Sequence, residues 1–269
     1  MFEGMKVCYG IEMYEDVGIV EYEGGYYVNT RCGYGKLYSD DTKLKDEGEW
    51  KDEEWNGSGV EYYENGNVSY EGEWKDDKRN GKGVSYYKNG NVKYEGEWKD
   101  DNWNGKGICY YENGNIKYEG EWKDNKPNGK GVLYYENGNK KYEGEWKDGK
   151  WNGKGVYYHE NGNVKYEGEW KDGKPNGKGV SYYENGNKMF EGEWKNDKRN
   201  GLCTHYTKSG LIVVKGEFVD GRPTDSKYIN HDCFKEILKE IIEDGISREG
   251  TSFIQQFFNL LEYYHTHNY

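Results

Sequence analysis

A phrase built around tryptophan returns every 24 residues along most of this chain. Around most copies the sequence reads Tyr-Glu-Gly-Glu-Trp-Lys, as it does over residues 94–99. A fixed period of this length is typical of repeat proteins, in which one unit is too small for a core of its own and is stabilised by stacking on its neighbours. We therefore predict a repeat array whose structural residues are the tryptophans of the series. They are Trp50, Trp74, Trp98, Trp122, Trp146, Trp170 and Trp194, with Phe218 at the next position.

Each unit contains two strand-like segments separated by turn signals. In the unit over residues 81–105, the pair Asn89-Gly90 lies between two segments of alternating residues. Asn-Gly favours a type I′ turn, because both central residues of that turn need positive φ. A second pair, Asn104-Gly105, closes the longer loop on the other side. The sequence therefore predicts an all-β fold: a single-layer antiparallel β-meander of hairpins, elongated and twisted.

Counting outward from the predicted turn at residues 89–90 gives the strand register. Gly81 then lies opposite Trp98 on one side of the sheet, which we call the aromatic face. Lys82 lies opposite Glu97 on the other side, which we call the mixed face. We expect the tryptophan rings to lie flat on glycine backbone in place of a second layer. On the mixed face we expect the carboxylates and lysines to pair across strands.

Composition and charge limit the partners of such an array. Only 33% of residues are hydrophobic and 33% are charged, a balance that usually indicates disorder, but 29 Tyr and 10 Trp at mostly fixed positions indicate a folded chain. Residues 72–191 hold 21 acidic and 22 basic side chains, whereas residues 1–71 hold 17 acidic and 6 basic. We expect no nucleic acid partner, and the charge disfavours a membrane lipid, because the chain offers no basic face.

The cysteines and the hydrophobic runs favour a soluble protein of the cytoplasm. The N-terminal segment lacks the apolar core of a signal peptide, and no stretch approaches the roughly 18 to 20 apolar residues of a membrane helix. Scattered single thiols fit a reducing compartment better than a disulfide framework. A component of the virion is the alternative if the source is a large virus. The five cysteines are Cys8, Cys32, Cys109, Cys203 and Cys233.

The segment after the repeats changes its pattern. We predict an array of about nine units over residues 1–221, with a degenerate first unit, and a short helical hairpin over residues 222–269. One interpretation is a cap that covers the last strand's unpaired backbone groups. The other is a docking element for a partner or a second copy. The first helix has apolar residues at helical spacing, Phe234, Ile237, Leu238, Ile241 and Ile242, and a second run covers residues 253–264.

The phrase Tyr-x-Gly-x-Trp followed by Asn-Gly-x-Gly resembles the MORN (membrane occupation and recognition nexus) repeat, over about residues 20–221. The insert Tyr-Tyr-Glu-Asn-Gly-Asn resembles the longer variant of bacterial and large-virus members. The resemblance implies an elongated β-hairpin array used as a scaffold, spacer or dimerisation module, with phospholipid binding proposed for some members. Members that are enzymes carry a separate catalytic domain, and we expect none here, because the segment over residues 222–269 is too short for one.

No pattern in the chain indicates catalysis, a cofactor or a metal site. Near-identical units offer the same side chains repeatedly, whereas a catalytic site needs different ones that converge. The histidines show no ligand spacing except His265 and His267. The Gly-Lys-Gly motif lacks the helix of a phosphate-binding loop. We therefore expect a protein that is not an enzyme.

Two rows of residues are candidates for binding a protein partner. The first varies between units and precedes Asn-Gly at the predicted tip of the long loop, and Trp and Arg dominate binding hot spots. The second is a tyrosine row on the mixed face. The first row holds Trp55, Arg79, Trp103, Pro127, Trp151, Pro175 and Arg199, and the second Tyr62, Tyr86, Tyr110, Tyr134, Tyr158, Tyr182 and Tyr206.

These observations favour a non-enzymatic scaffold that binds protein through a long edge or a face of its sheet. Self-association through the C-terminal helices or the sheet edge is one form of that hypothesis. A peripheral phospholipid-binding protein is the first alternative, and an immunity or antitoxin-like protein, suggested by the repeat variant alone, is the second. The rings of the variable row could instead fold back on their own loops.

Overall fold

The structure, a computed structural model, describes residues 7–15 and 18–229, which form β-strands joined by turns. The chain divides into two compact units, of which the first ends at Gly149 and the second begins at Lys150. The strands of the first unit are β1 Cys8–Met13, β2 Val20–Tyr27, β3 Thr30–Tyr38, β4 Leu44–Lys51, β5 Glu54–Tyr62, β6 Val68–Lys75, β7 Lys78–Tyr86, β8 Val92–Lys99, β9 Asn102–Tyr110, β10 Ile116–Lys123, β11 Lys126–Tyr134 and β12 Lys140–Lys147. Those of the second unit are β13 Lys150–Tyr158, β14 Val164–Lys171, β15 Lys174–Tyr182, β16 Lys188–Lys195, β17 Lys198–Tyr206, β18 Ile212–Val219 and β19 Arg222–Ile229.

Within each unit every strand pairs antiparallel with the next strand of the sequence, for example β7 with β8 and β8 with β9. The all-β meander predicted from the repeat is confirmed, with two strands per 24-residue period. Strand β19 extends the sheet to Ile229, so a strand occupies the first residues of the segment that we predicted as helical. The predicted helices beyond residue 230 lie outside the described residues.

The type I′ turn lies at a different place from the one predicted. Trp98 pairs with Trp103 and Lys99 with Asn102, which leaves residues 100–101 as a two-residue turn. Both turn residues have positive φ, 47° at Asp100 and 64° at Asp101, as a type I′ turn requires. The long loop predicted before Asn104-Gly105 is therefore this tight turn. Aspartate tolerates the left-handed conformation better than most residues, because its short polar side chain bonds locally.

At the predicted type I′ position, Asn89-Gly90, the loop is one residue longer. The amide of Gly90 donates to the carbonyl of Tyr87 at 2.9 Å, and the amide of Tyr87 donates to the carbonyl of Asn91 at 2.8 Å. Gly90 alone has positive φ, 89°, so the loop is a turn followed by a left-handed glycine. Lys93 is then an extra residue in β8, which restores the predicted register.

The second Asn-Gly pair, Asn104-Gly105, lies inside β9 and forms a bulge. Gly96 pairs with Gly107 but Glu97 pairs with Asn104, which leaves residues 105–106 without opposite partners. The carboxylate of Glu97 accepts a hydrogen bond from the freed amide of Lys106 at 2.9 Å. The expected Lys–Glu pairing is thus replaced at Glu97 by a bond to backbone, because the bulge supplies an amide that the ladder does not use.

Candidate functional site

The aromatic face is built from one tyrosine and one tryptophan per repeat. Tyr94 is fully buried, and a methyl group at Gly107 would lie 2.2 Å from its hydroxyl oxygen. Trp98 meets Tyr94 edge to face, with ring centroids 5.2 Å apart, and its Nε1 donates to the carbonyl of Gly83 at 3.1 Å. The tyrosine therefore covers the glycine backbone, a role that we had predicted for the tryptophan. The tryptophan binds the neighbouring strand by its edge.

The same tryptophan position is buried in most repeats of both units. The exposed fraction is 5% for Trp50, Trp98 and Trp170, 6% for Trp122 and 7% for Trp146, while Trp74 and Trp194 are partly buried. Most of the indole nitrogens donate to a backbone carbonyl, as Trp122 Nε1 does to Gly107 at 3.0 Å, and that of Trp50 is buried without a partner, so these rings present no free polar group at the surface. The tryptophan series is part of the framework.

The variable residues lie in strands, opposite the tryptophan series, and several of them lie against the buried tyrosines. We call them the outer row. In the first unit Trp103 stacks on Tyr94, with centroids 4.5 Å apart and planes at 6°. The guanidinium of Arg79 lies 5.0 Å from the ring centre of Tyr70. Both side chains remain partly exposed. The outer row of the first unit consists of Arg31, Trp55, Arg79, Trp103 and Pro127.

Arg31 belongs to this row although sequence reasoning missed it. Its guanidinium lies 4.8 Å above the ring of Tyr22, in the geometry of Arg79 above Tyr70. Cys32 replaces the Asn of Asn-Gly there, so the motif does not mark this unit. Counting 24 residues back from Trp55 is the signal that finds it.

Trp55 is the exception in the outer row, because its ring sits in the framework and is only 5% exposed. Asp46 occupies the place of the tyrosine in this repeat, and the ring of Trp55 lies over Gly59 instead. Asp46 is 9% exposed and faces Glu61 on the next strand. Burial raises the pKa of Asp46 to about 7; the charge of Lys45 lowers it and that of Glu61 adds to the rise. In the sequence this substitution is visible, because Asp46 stands where most other repeats have tyrosine.

The second unit repeats the arrangement. Trp151 contacts the ring of Trp170 at 5.0 Å, and the guanidinium of Arg199 lies 5.0 Å from the ring centre of Phe190. Pro175 is partly buried at the equivalent position. Trp or Arg thus lies against the rings of the frame at this position in several repeats, and Pro occupies the position in two others. Most repeats share this frame, whereas the residue at the outer-row position varies.

One repeat of the second unit exchanges two residues of the frame at once. Phe190 stands in the place of the tyrosine, and Cys203 in the place of the glycine beneath it. The Tyr94 hydroxyl donates to the carbonyl of Glu97 at 2.9 Å, and Cys203 Sγ approaches the equivalent carbonyl of Glu193 at 3.6 Å. The thiol thus takes the site of the missing hydroxyl.

We expect Phe190→Tyr to destabilise the protein by about 1–2 kcal/mol, because its hydroxyl and the Cys203 thiol would share one site. The double variant Phe190→Tyr with Cys203→Gly recreates the frame of the other repeats and should recover most of that loss. Chemical denaturation of the single and double variants measures the coupling. If the effects of Phe190→Tyr and Cys203→Gly on the free energy of unfolding simply add, the thiol does not occupy the site of the hydroxyl.

The tyrosine row of the mixed face is occupied by hydrogen bonds to the neighbouring strand. Tyr110 donates its hydroxyl to Glu95 at 2.8 Å, and burial together with this carboxylate raises the pKa of Tyr110 to about 12. Equivalent bonds join Tyr62 to Glu47, Tyr86 to Glu71, Tyr134 to Glu119, Tyr182 to Glu167 and Tyr206 to Glu191. Tyr158 is partly buried at the same position. Because these hydroxyls already have partners, the row offers mainly ring surface.

The described part of the chain contains no group of three or more His, Cys, Asp or Glu side chains that could hold a metal ion. His205 is buried, and desolvation together with the charge of Arg199 lowers its pKa to about 3, so it is neutral. His265 and His267 lie outside the described residues. Among residues 7–15 and 18–229 there is also no helix long and apolar enough to cross a membrane.

Comparison with protein families gives matches in phase with this geometry. The model described as MORN repeat matches residues 70–92, 94–116, 118–140, 142–164, 166–188 and 190–212, and the model described as MORN repeat variant matches residues 55–76. Each of the six matches begins at the residue that lies over the glycines, Tyr in five and Phe190 in the last. No curated protein matches the chain.

Proposed function

The chain belongs to the MORN repeat family, and on that basis we propose that it is a non-enzymatic scaffold that binds protein through the outer row of its first unit. The observation that carries the proposal is the variation of this row beside a frame that most repeats share. Tyr94 and Trp98 have equivalents in most repeats, whereas the position of Trp103 changes between Trp, Arg and Pro. A scaffold gains specificity at such a position without changing its fold.

The contacts of the outer row suit it to binding. Trp103 is held by stacking on Tyr94 and by an edge contact with Trp122, whose ring centroid lies 5.0 Å away. Arg79 is held by Tyr70 and by an ion pair of 2.6 Å with Glu61. Side chains that are fixed before binding lose little rotamer freedom on association. Large aromatic and Arg side chains held in this way are typical of binding hot spots.

Charge and thiol chemistry support a protein partner in the cytoplasm over a lipid surface. The near balance of acidic and basic residues over 72–191 provides no attraction to anionic headgroups. Cys32, Cys109 and Cys203 are buried free thiols, which is the state favoured by a reducing compartment. The family is also compatible with a membrane-associated interaction role, which the experiment below includes as an arm.

We expect Trp103→Arg to weaken partner binding at least tenfold, or about 1.4 kcal/mol, because it replaces a hot-spot ring by a cation. The variant keeps the fold, since Arg79 occupies the equivalent position above Tyr70. The partner is first isolated on the immobilised full chain and its affinity is then measured by calorimetry. Tyr110→Phe is the matched control on the mixed face and should bind as the wild type does.

Two outcomes would contradict the proposal. Equal affinity of Trp103→Arg and the wild type would remove the outer row from the interface. Sedimentation of the protein with anionic vesicles, abolished by salt, would favour the phospholipid-binding alternative over the protein scaffold. Thermal melts of both variants by circular dichroism confirm that the compared proteins are folded.

A further inference from the structure

Exposed apolar side chains are concentrated in the first three strands. Of the ten large hydrophobic side chains that are exposed in the described residues, seven lie between Val7 and Tyr34, and none lies between Gly35 and Gly201. The repeats in between keep their apolar side chains at least partly covered. The seven are Val7, Tyr9, Ile11, Met13, Tyr27, Val28 and Tyr34. A cluster of exposed apolar side chains of this kind often marks an interaction surface.

Several of these side chains share the mixed face. Tyr9 donates its hydroxyl to Glu23, the carboxylate that also accepts from Tyr38. Ile11 lies directly opposite Glu23 in the register of β1 and β2, so it points to the same side. Tyr34 donates to Glu47 on that face as well. Strand β1 therefore extends the mixed face with a row of exposed apolar side chains.

Strand β1 is also an edge of the first unit. It pairs with β2 on one side, and no other strand of the described residues pairs with it. Edges of this kind are usually protected by Lys, Pro or a covering segment. The strand Cys8–Met13 contains neither Lys nor Pro. In the part of the chain that the structure describes, its outer backbone groups and its apolar side chains are open to the same partner.

The charge around β1 is strongly acidic. Glu12, Glu21 and Glu53 surround the single guanidinium of Arg31 at 2.6, 3.8 and 3.6 Å. Residues 1–71 as a whole hold 17 acidic and 6 basic side chains, a balance of −11. A second copy paired through this edge would bring two such segments together and repel. A basic partner gains the corresponding attraction.

We infer that β1 receives an extended basic segment of another protein, which adds to the sheet as a further strand. In this basic segment, apolar side chains alternate with Lys or Arg. The apolar ones lie on the mixed face beside Tyr9 and Ile11, and the basic ones lie on the aromatic face near Glu12 and Glu21. Backbone hydrogen bonds give the affinity, and the alternating side chains give the specificity.

A labelled peptide of alternating valine and lysine, titrated with the full chain and followed by fluorescence anisotropy, tests this inference. We expect it to bind, to bind more weakly as salt is added, and to bind at least about tenfold more tightly than the same peptide with glutamate for lysine. Ile11→Lys should weaken binding about tenfold, because it places a like charge in the peptide's path. Leu202→Lys is the matched control: Leu202 is 60% exposed, against 59% for Ile11, and lies in the second unit.

Other occupants of β1 give different results, each of which overturns the inference. Equal binding of the glutamate peptide, or an equal loss in Leu202→Lys, would show that neither charge nor this strand selects the peptide. A dimer of the wild type that Ile11→Lys dissociates, seen by sedimentation equilibrium, would assign the edge to a second copy. Slow hydrogen exchange at all β1 amides in the monomer would mean that the chain's own remaining residues cover it. If Ile11→Lys melts below the wild type, Met13→Lys, 44% exposed, replaces it in the same titration.

Discussion

Trp98→Ala is expected to lower the free energy of unfolding by about 3–5 kcal/mol, the range for a large buried aromatic side chain. Trp98 is only 5% exposed, and its ring packs between Tyr94 and Tyr70, with centroids 5.2 Å from each. The change also leaves the carbonyl of Gly83 without its indole donor. A cavity therefore opens between neighbouring repeats, where a repeat protein has its stabilising contacts. Chemical denaturation followed by circular dichroism measures the loss.

Trp98→Phe is the matched control, because Phe218 already occupies the equivalent position in the last repeat. The phenylalanine keeps most of the ring contacts and loses the hydrogen bond, so a smaller loss of about 1–2 kcal/mol is expected. An unfolding midpoint of Trp98→Ala equal to that of the wild type would show that the tryptophan series does not hold the repeats together.

Asp46→Asn is expected to remove a pH dependence of stability that the wild type has. Burial raises the pKa of Asp46 from an ordinary value near 4 to about 7, so the native state binds the proton more tightly than the unfolded state does. That contribution is fully present below the ordinary pKa and is lost as the pH rises through the folded pKa. From about pH 5.5 to about pH 8 the wild type should lose about 2 kcal/mol from this group.

Denaturation of the wild type and of Asp46→Asn at both pH values isolates this contribution, since all other titrating groups are shared. The variant should be the more stable protein at the higher pH, and the difference should shrink at the lower pH. Lys43→Gln, which removes a charge from an exposed ion pair with Asp41 in the same unit, should keep the pH dependence of the wild type. A constant difference between Asp46→Asn and the wild type at both pH values would contradict the raised pKa.

The predicted strand register is correct, although the loop that joins the two strands differs from the predicted one. The prediction placed Gly81 opposite Trp98, and the structure confirms it. The predicted type I′ turn at Asn89-Gly90 is wrong, since the loop there contains one more residue. The bulge at Lys93 compensates for that residue, because a slip of one position would move every side chain to the other face. Burial of the aromatic face therefore fixes the register, whichever turn connects the strands.

The sequence pattern alone could not establish where the side chains of the outer row lie in the fold. The sequence identified the variable position of Trp103 by its type and period, but assigned it to a loop tip. The structure places it in β9, stacked on Tyr94. The reason is that Asp100-Asp101 makes a two-residue turn, which leaves no long loop for Trp103 to occupy. The short-range turn signals were ambiguous, because the unit over residues 81–105 contains two Asn-Gly pairs, whereas the residues of the tight turn differ between repeats, Asp-Asp at residues 100–101 but Asp-Gly at residues 148–149.

The sequence by itself determined the repeat family, the all-β meander, the two faces and the tryptophans of the framework, because a 24-residue period repeats the same local choices many times. Only the tertiary structure decided how those residues contact one another. Tyr94 covers Gly107, Glu97 binds the bulge at Lys106, and the Cys203 thiol replaces a hydroxyl next to Phe190. These contacts join residues of different strands, and their geometry depends on bulges and ring packing that strand alternation alone does not specify.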